Sequence, residues 1–213
     1  MPTTVSSAPV LPSLAAQAER LTSLGVSGLD PAAFEDFTAE GDALLVVRPE
    51  LLAASALAPL LRFGGKPGFV VSDMTDVDTF GAVESATPPD APVYVVTSLD
   101  RGDAMRNWSP DEALPAILDA GRTPLTLTEG LHWVLQKPEI LQRGRCFMTI
   151  GSRVRKPDGS WDSRTPALWI SNGTGRDGIE RRDAAKVGWC WAGNRHTWLG
   201  FASAGGRHAP RQA

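Results

Sequence analysis

Apolar residues recur mostly at helical spacing up to Gly144 and in short strand-like runs after it. A chain patterned this way packs helix stripes from its first half on sheet surface from its second. That is the α+β class, not a helix bundle or a regular βαβ repeat. The expected architecture is a helix-rich N-terminal part on a mixed, largely antiparallel sheet built mainly from the C-terminal part.

Two capping boxes anchor this reading. Ser109-Pro110-Asp111-Glu112 places a hydroxyl at the N-cap, proline at the first helical position and glutamate at the third. The helix it opens carries Leu114, Ile117 and Leu118 and stops at Gly121. Thr126 with Glu129 repeats the device ahead of Leu127, Leu131, Val134 and Leu135, and Pro138 ends that helix. Leu14, Ala18, Leu21 and Leu24 form an earlier stripe closed by Gly25. Asp30-Pro31 opens another, with Phe34 and Phe37, and residues 50–62 read as a helix broken near Pro59. Strands are expected at 43–47, 68–72, 92–97, 146–152, 166–171, 187–192 and 196–202, with Pro157-Asp158-Gly159 as a turn. The expected organisation is a flexible N-terminus (1–12), one domain (13–207) and a flexible tail (208–213). Within the domain, 13–142 is acidic and helical, and 143–207 is basic, β-rich and tryptophan-rich.

Net charge over the 213 residues is −3, which excludes a wholly basic nucleic-acid binder. The small total hides an asymmetry. Residues 1–136 hold 7 Lys+Arg and 18 Asp+Glu, giving −11; residues 137–213 hold 14 and 6, giving +8. Either the two halves complement each other within the fold, or the second half offers a basic face to an anionic partner. The chain start lacks a basic region followed by an apolar core, so no signal peptide is read. Leu51 to Leu61 is too short to span a bilayer and contains Pro59. Two sparse cysteines fit a reducing cytoplasm.

Few motifs suggest chemistry. Gly173, Gly175 and Gly178 have dinucleotide-loop spacing, but the residues that follow are short and charged, and no βαβ unit surrounds them, so they read as a loop. Asp73, Asp76 and Asp78 lack the glycine and terminal glutamate of a calcium loop. Cys146, Cys190, His196 and His208 are zinc-ligand types without close zinc spacing. His132, beside Trp133 on a helix edge, reads as structural. Neither a metal nor a cofactor is assigned.

The segment Val187-Gly-Trp-Cys-Trp-Ala-Gly-Asn-Arg-His-Thr-Trp-Leu-Gly200 is the most distinctive. It reads as a hairpin. A two-residue turn at Gly193-Asn194 puts Trp189, Trp191, His196 and Trp198 on one face, with Cys190 on the other. A three-residue turn over Gly193 to Arg195 instead brings Cys190, His196 and Trp198 together. The first register gives an aromatic pocket edged by Asn194 and Arg195; the second gives a nucleophile beside a base.

Several strings together carry a resemblance: residues 106–118, Gly121 to Thr126, Arg145-Cys-Phe-Met, Gly151-Ser-Arg153, Pro166-Ala-Leu-Trp-Ile-Ser171 and Gly188 to Gly200. They resemble an actinobacterial family of about this length, classed as a domain of unknown function, over residues 13–207. Asn172 to Lys186 is longer than the family pattern, and Arg195 stands where proline is expected. The resemblance implies no activity and transfers no catalytic residue.

The expected function is a cytoplasmic small-molecule-binding or accessory protein. Its ligand site would comprise Trp189, Trp191, Asn194, Arg195, His196 and Trp198. One alternative is an enzyme using Cys190 and His196. Another is a protein that binds an anionic partner through its basic C-terminal part. No membrane or nucleic-acid partner is expected, and the sequence leaves the oligomeric state open.

Overall fold

The computed structural model describes residues 11–34 and 42–210. Phe37, most of the expected N-terminal segment and residues 211–213 lie outside them. The architecture is α+β. The main helices are α1 (Leu14–Ser23), α2 (Ala54–Leu57), α3 (Pro110–Asp119) and α4 (Leu127–Gln136). The strands that position the site are β1 (Ala43–Val47), β2 (Phe69–Val70), β3 (Val93–Thr97), β4 (Cys146–Met148), β5 (Arg164–Ile170), β6 (Ala185–Trp191), β7 (Leu199–Phe201) and β8 (Gly206–His208).

These strands form two sheets. One is antiparallel, in the order β1-β3-β8. The other is mixed, in the order β7-β4-β5-β6-β2, with β7 parallel to β4 and β2 parallel to β6. Both sheets draw strands from both halves of the sequence. The main apolar core likewise runs from Leu11 to Ala204.

α4 packs against both sheets, touching β1 and β5, and all ten of its residues are buried. Gly130 permits the close approach: a Cβ there would lie 2.5 Å from Thr149 Cγ2 and 3.1 Å from Leu168 Cδ1. A helix buried on every side must satisfy its polar groups internally. Glu129 closes the capping box at Thr126 and also pairs with Arg207, Nε to Oε1 at 2.6 Å and Nη2 to Oε2 at 2.8 Å. The Tyr94 hydroxyl donates to the same carboxylate at 3.0 Å. His132 Nδ1 lies 2.9 Å from Thr128 O, and Nε2 accepts from Val47 N–H at 3.2 Å. Burial pulls the His132 pKa down to about 4, so the ring is neutral at pH 7.

β1 is a buried edge strand whose outward backbone groups need partners. His132 serves Val47. Gln17 of α1 serves two more: its Oε1 accepts from Leu45 N–H at 2.9 Å, and its Nε2 donates to Ala43 O at 2.8 Å.

The other face of the mixed sheet carries a smaller core. There Ala113 and Ile117 of α3 meet Met148, Ala167, Leu199 and Phe201. Cys146 and Cys190 pack at the margin of this cluster.

Several local expectations shift. The described part of the helix expected to open at Asp30-Pro31 is a 3₁₀ turn over Pro31–Phe34, with Asp30 Oδ1 accepting from Ala32 N–H at 3.0 Å. Leu11, expected within a loose N-terminus, is buried, and its N–H donates to Asp42 Oδ1. His208, expected to start the tail, pairs with Val95 at the end of β8.

Candidate functional site

The expected 187–200 hairpin does not form, in either register. β6 pairs with β5, Trp189 opposite Pro166 and Cys190 opposite Thr165. β7 pairs with β4 on the far side of β5, with two strands between it and β6. The reason lies in where the intervening backbone bonds go. Ala192 N–H donates to Ser163 O, Ala192 O accepts from Asp111 N–H at 3.1 Å, and His196 O accepts from Asn107 N–H at 3.1 Å. Segment 192–198 therefore caps the start of α3, taking a first-turn donor that the helix cannot satisfy itself. Arg195 pairs with Glu112, the N3 residue of the capping box, and fastens the loop further. The backbone N–H of Ser109 is the largest influence holding the Glu112 carboxyl below its ordinary range, and Arg195 adds to it.

This arrangement splits the expected aromatic face into two pairs. Trp189 and Trp191 meet edge-on, with centroids 4.6 Å apart. Trp189 also packs against the main core and lies 6.0 Å from the Arg164 guanidinium. Arg164 is clamped by Asp76 and Asp162, and its hydrogen bonds are the largest cause holding both carboxyls low. His196 and Trp198 form the second pair, stacked at 4.6 Å and 17°.

Outside the core, Trp108, Trp191 and Trp198 are 41%, 46% and 48% exposed. Beside the His196–Trp198 pair, Arg106, Asn107, Trp108, Glu112 and Arg195 line an open cavity of 270 Å³. The sequence reading missed Arg106, Asn107 and Trp108. Asn107, just before the Ser-Pro cap, adopts φ +64°, a conformation asparagine tolerates, but nothing local in the sequence ties Trp108 to the 192–198 segment.

Cys190 and His196 are not joined. The Cys190 thiol is within hydrogen-bonding reach of the Asn194 side chain, and burial pushes its pKa up, away from the thiolate a nucleophile needs. Asn194 thus faces the cysteine, while Arg195 faces Glu112. The zinc-type residues are also separated: Cys146 is in the mixed sheet, whereas His208 lies in the antiparallel sheet with Nε2 3.2 Å from Thr97 Oγ1. Among the described residues no group of three or more His, Cys, Asp or Glu could hold a metal ion. Asp73, Asp76 and Asp78 turn to Arg176, Arg164 and Ser55 respectively. The glycine-rich segment forms two 3₁₀ turns, Gly175–Asp177 and Ile179–Arg181, with Asp177 bonded to Ser171 and Lys186. No helix among the described residues is long and apolar enough to cross a membrane.

No curated protein and no solved structure matches the chain. A protein-family profile matches residues 10–210, a span that includes every string carrying the resemblance noted above. The chain therefore belongs to DUF5701, a family of unknown function.

Proposed function

We propose that the protein is a binding protein whose recognition surface lies where segment 192–198 meets the start of α3. Its ligand is an organic molecule carrying a flat ring and an anionic group. The observation that carries this reading is the half-exposed Trp108 in a cavity shared with Arg106 and Arg195, beside the stack of half-buried His196 on exposed Trp198. Exposed tryptophan surface is costly to leave in water and suits stacking on a ring. Glu112 already neutralises Arg195, and Arg106 has no ion pair among the described residues, so the cavity retains positive charge for a carboxylate or phosphate. Both cysteines are free thiols, which accords with work in a reducing cytoplasm.

Trp191 and Trp189 stay outside this surface as a structural pair. The test is saturation-transfer NMR with phenyl phosphate, benzoate and uncharged benzyl alcohol. The two anions should give signals that Arg106→Ala and Trp108→Ala abolish while the folded spectrum persists. Equal signals from all three probes, or signals that survive both substitutions, would contradict the proposal.

A further inference from the structure

The glycine-rich loop borders another cavity, of 230 Å³, beside β2 at the edge of the mixed sheet. Apart from Val71 its lining is polar: Ser72, Asp73, Thr174, Arg176, Asp177 and Lys186. It therefore holds two cations and two carboxylates, which form one buried pair and one exposed pair.

Asp177 and Lys186 are the buried pair. Asp177 is 8% exposed, and its Oδ2 accepts from Lys186 Nζ at 2.7 Å and from Ser171 Oγ at 2.8 Å. Ser171 is fixed in turn, because its Oγ accepts from Gly173 N–H at 3.1 Å. The other oxygen, Oδ1, has no hydrogen-bond partner among the described residues, yet it is not sealed from solvent. A carboxylate oxygen so far withdrawn from water needs a donor. Arg176 and Asp73 are the exposed pair, joined only through Nη1 to Oδ2 at 3.0 Å. An exposed pair held by one bond contributes little and yields to a better partner. The Nε–Nη2 edge of Arg176 is unpaired among the described residues, and so are the hydroxyls of Ser72 and Thr174. That edge presents two parallel N–H groups that match a carboxylate.

A lone anion or a lone cation would meet a like charge in this cavity as well as an opposite one. A molecule carrying both charges satisfies both. We propose that the cavity is a second binding site, one that takes a small zwitterionic amino acid. The ligand's ammonium donates to Asp177 Oδ1, and its carboxylate lies on the Nε–Nη2 edge of Arg176. The volume is below the roughly 300 Å³ of a drug-sized site, so the ligand has few heavy atoms. The site uses none of Arg106, Trp108 or Arg195, so it stands or falls separately from the aromatic surface.

The test is titration of the ¹⁵N-labelled full chain with glycine, β-alanine and 4-aminobutyrate, which differ in the spacing of their two charges. At least one should shift the amides of residues 173–177 and Lys186 in a saturable way. Acetate, methylamine and glycerol each lack one or both charges and should bind at least about tenfold more weakly. Arg176→Gln, at a side chain 76% exposed, should keep the folded spectrum and weaken binding by at least the same factor, as should Asp177→Asn. Should the buried variant fail to fold, Arg176→Gln decides the matter. No saturable shift from any of the three amino acids would overturn the proposal. Equal binding of acetate, methylamine or glycerol, or binding that survives Arg176→Gln, would overturn it too.

Discussion

Glu129 closes the cap of α4 with its backbone contacts and holds Arg207 with both carboxylate oxygens, at zero exposure. Removing one partner strands the other as a buried charge. Arg207→Ala should therefore cost about 3–5 kcal/mol in denaturant unfolding, whereas exposed Arg106→Ala should change stability by less than about 0.5 kcal/mol. His132 gives a pH signature. Its folded pKa is about 4 against an ordinary 6.5, so between those values the unfolded chain binds the extra proton. Stability should be intact above about pH 6.5, fall as pH drops toward 4, and then level off, for a total of about 3 kcal/mol. His132→Gln should flatten that window, because the amide oxygen can still accept from Val47 but does not titrate. At this scale the sequence was half legible. Thr126 and Glu129 announced their cap because its partners lie three residues apart. Arg207, 78 residues from Glu129, gave no local sign.

The elements show the same division between near and far. α3 and α4 begin where their capping boxes place them, and β1 is as expected, because a cap or an apolar run is decided within a few residues. The hairpin failed because glycine and asparagine permit a turn but do not choose a strand's partner. β5 outcompeted β7 for β6, and α3 claimed the loop backbone between them. The candidate site was accordingly legible in part. Arg195, His196 and Trp198 came from the distinctive string, while Trp108 joined them only through tertiary docking. Because the Ser109 cap and the loop are coupled through Glu112, Ser109→Ala should cost about 1 kcal/mol. It should also speed amide exchange at Asn107 and Asp111, which donate to the loop, and unchanged exchange there would uncouple the two. Gly130→Ala should cost about 1–3 kcal/mol despite alanine's better helix propensity, because its methyl would meet Thr149.

Across the whole molecule the charge asymmetry is spent in part on internal pairing. Among the described residues, basic residues of the second half meet acids of the first in six pairs: Arg145–Asp103, Arg155–Glu84, Arg164–Asp76, Arg176–Asp73, Arg195–Glu112 and Arg207–Glu129. The charge counts had offered that complementarity as one of two readings. Several of these pairs are exposed, so stability should change by less than about 1 kcal/mol between low and high salt. A large loss in salt, measured by urea unfolding, would mean that the pairs carry more of the fold than their exposure suggests. At the α3 rim, Arg106 has no ion pair among the described residues and stands beside exposed tryptophan.

The most direct measurement of that claim is a titration of ¹⁵N-labelled protein with phenyl phosphate, following the indole N–H signals of the seven tryptophans. Trp108 and Trp198 should shift at millimolar concentration, while buried Trp133 and the Arg155-stacked Trp161 stay in place. Motionless Trp108 and Trp198 signals, or equal shifts across all seven, would contradict the assignment of this surface as the binding site.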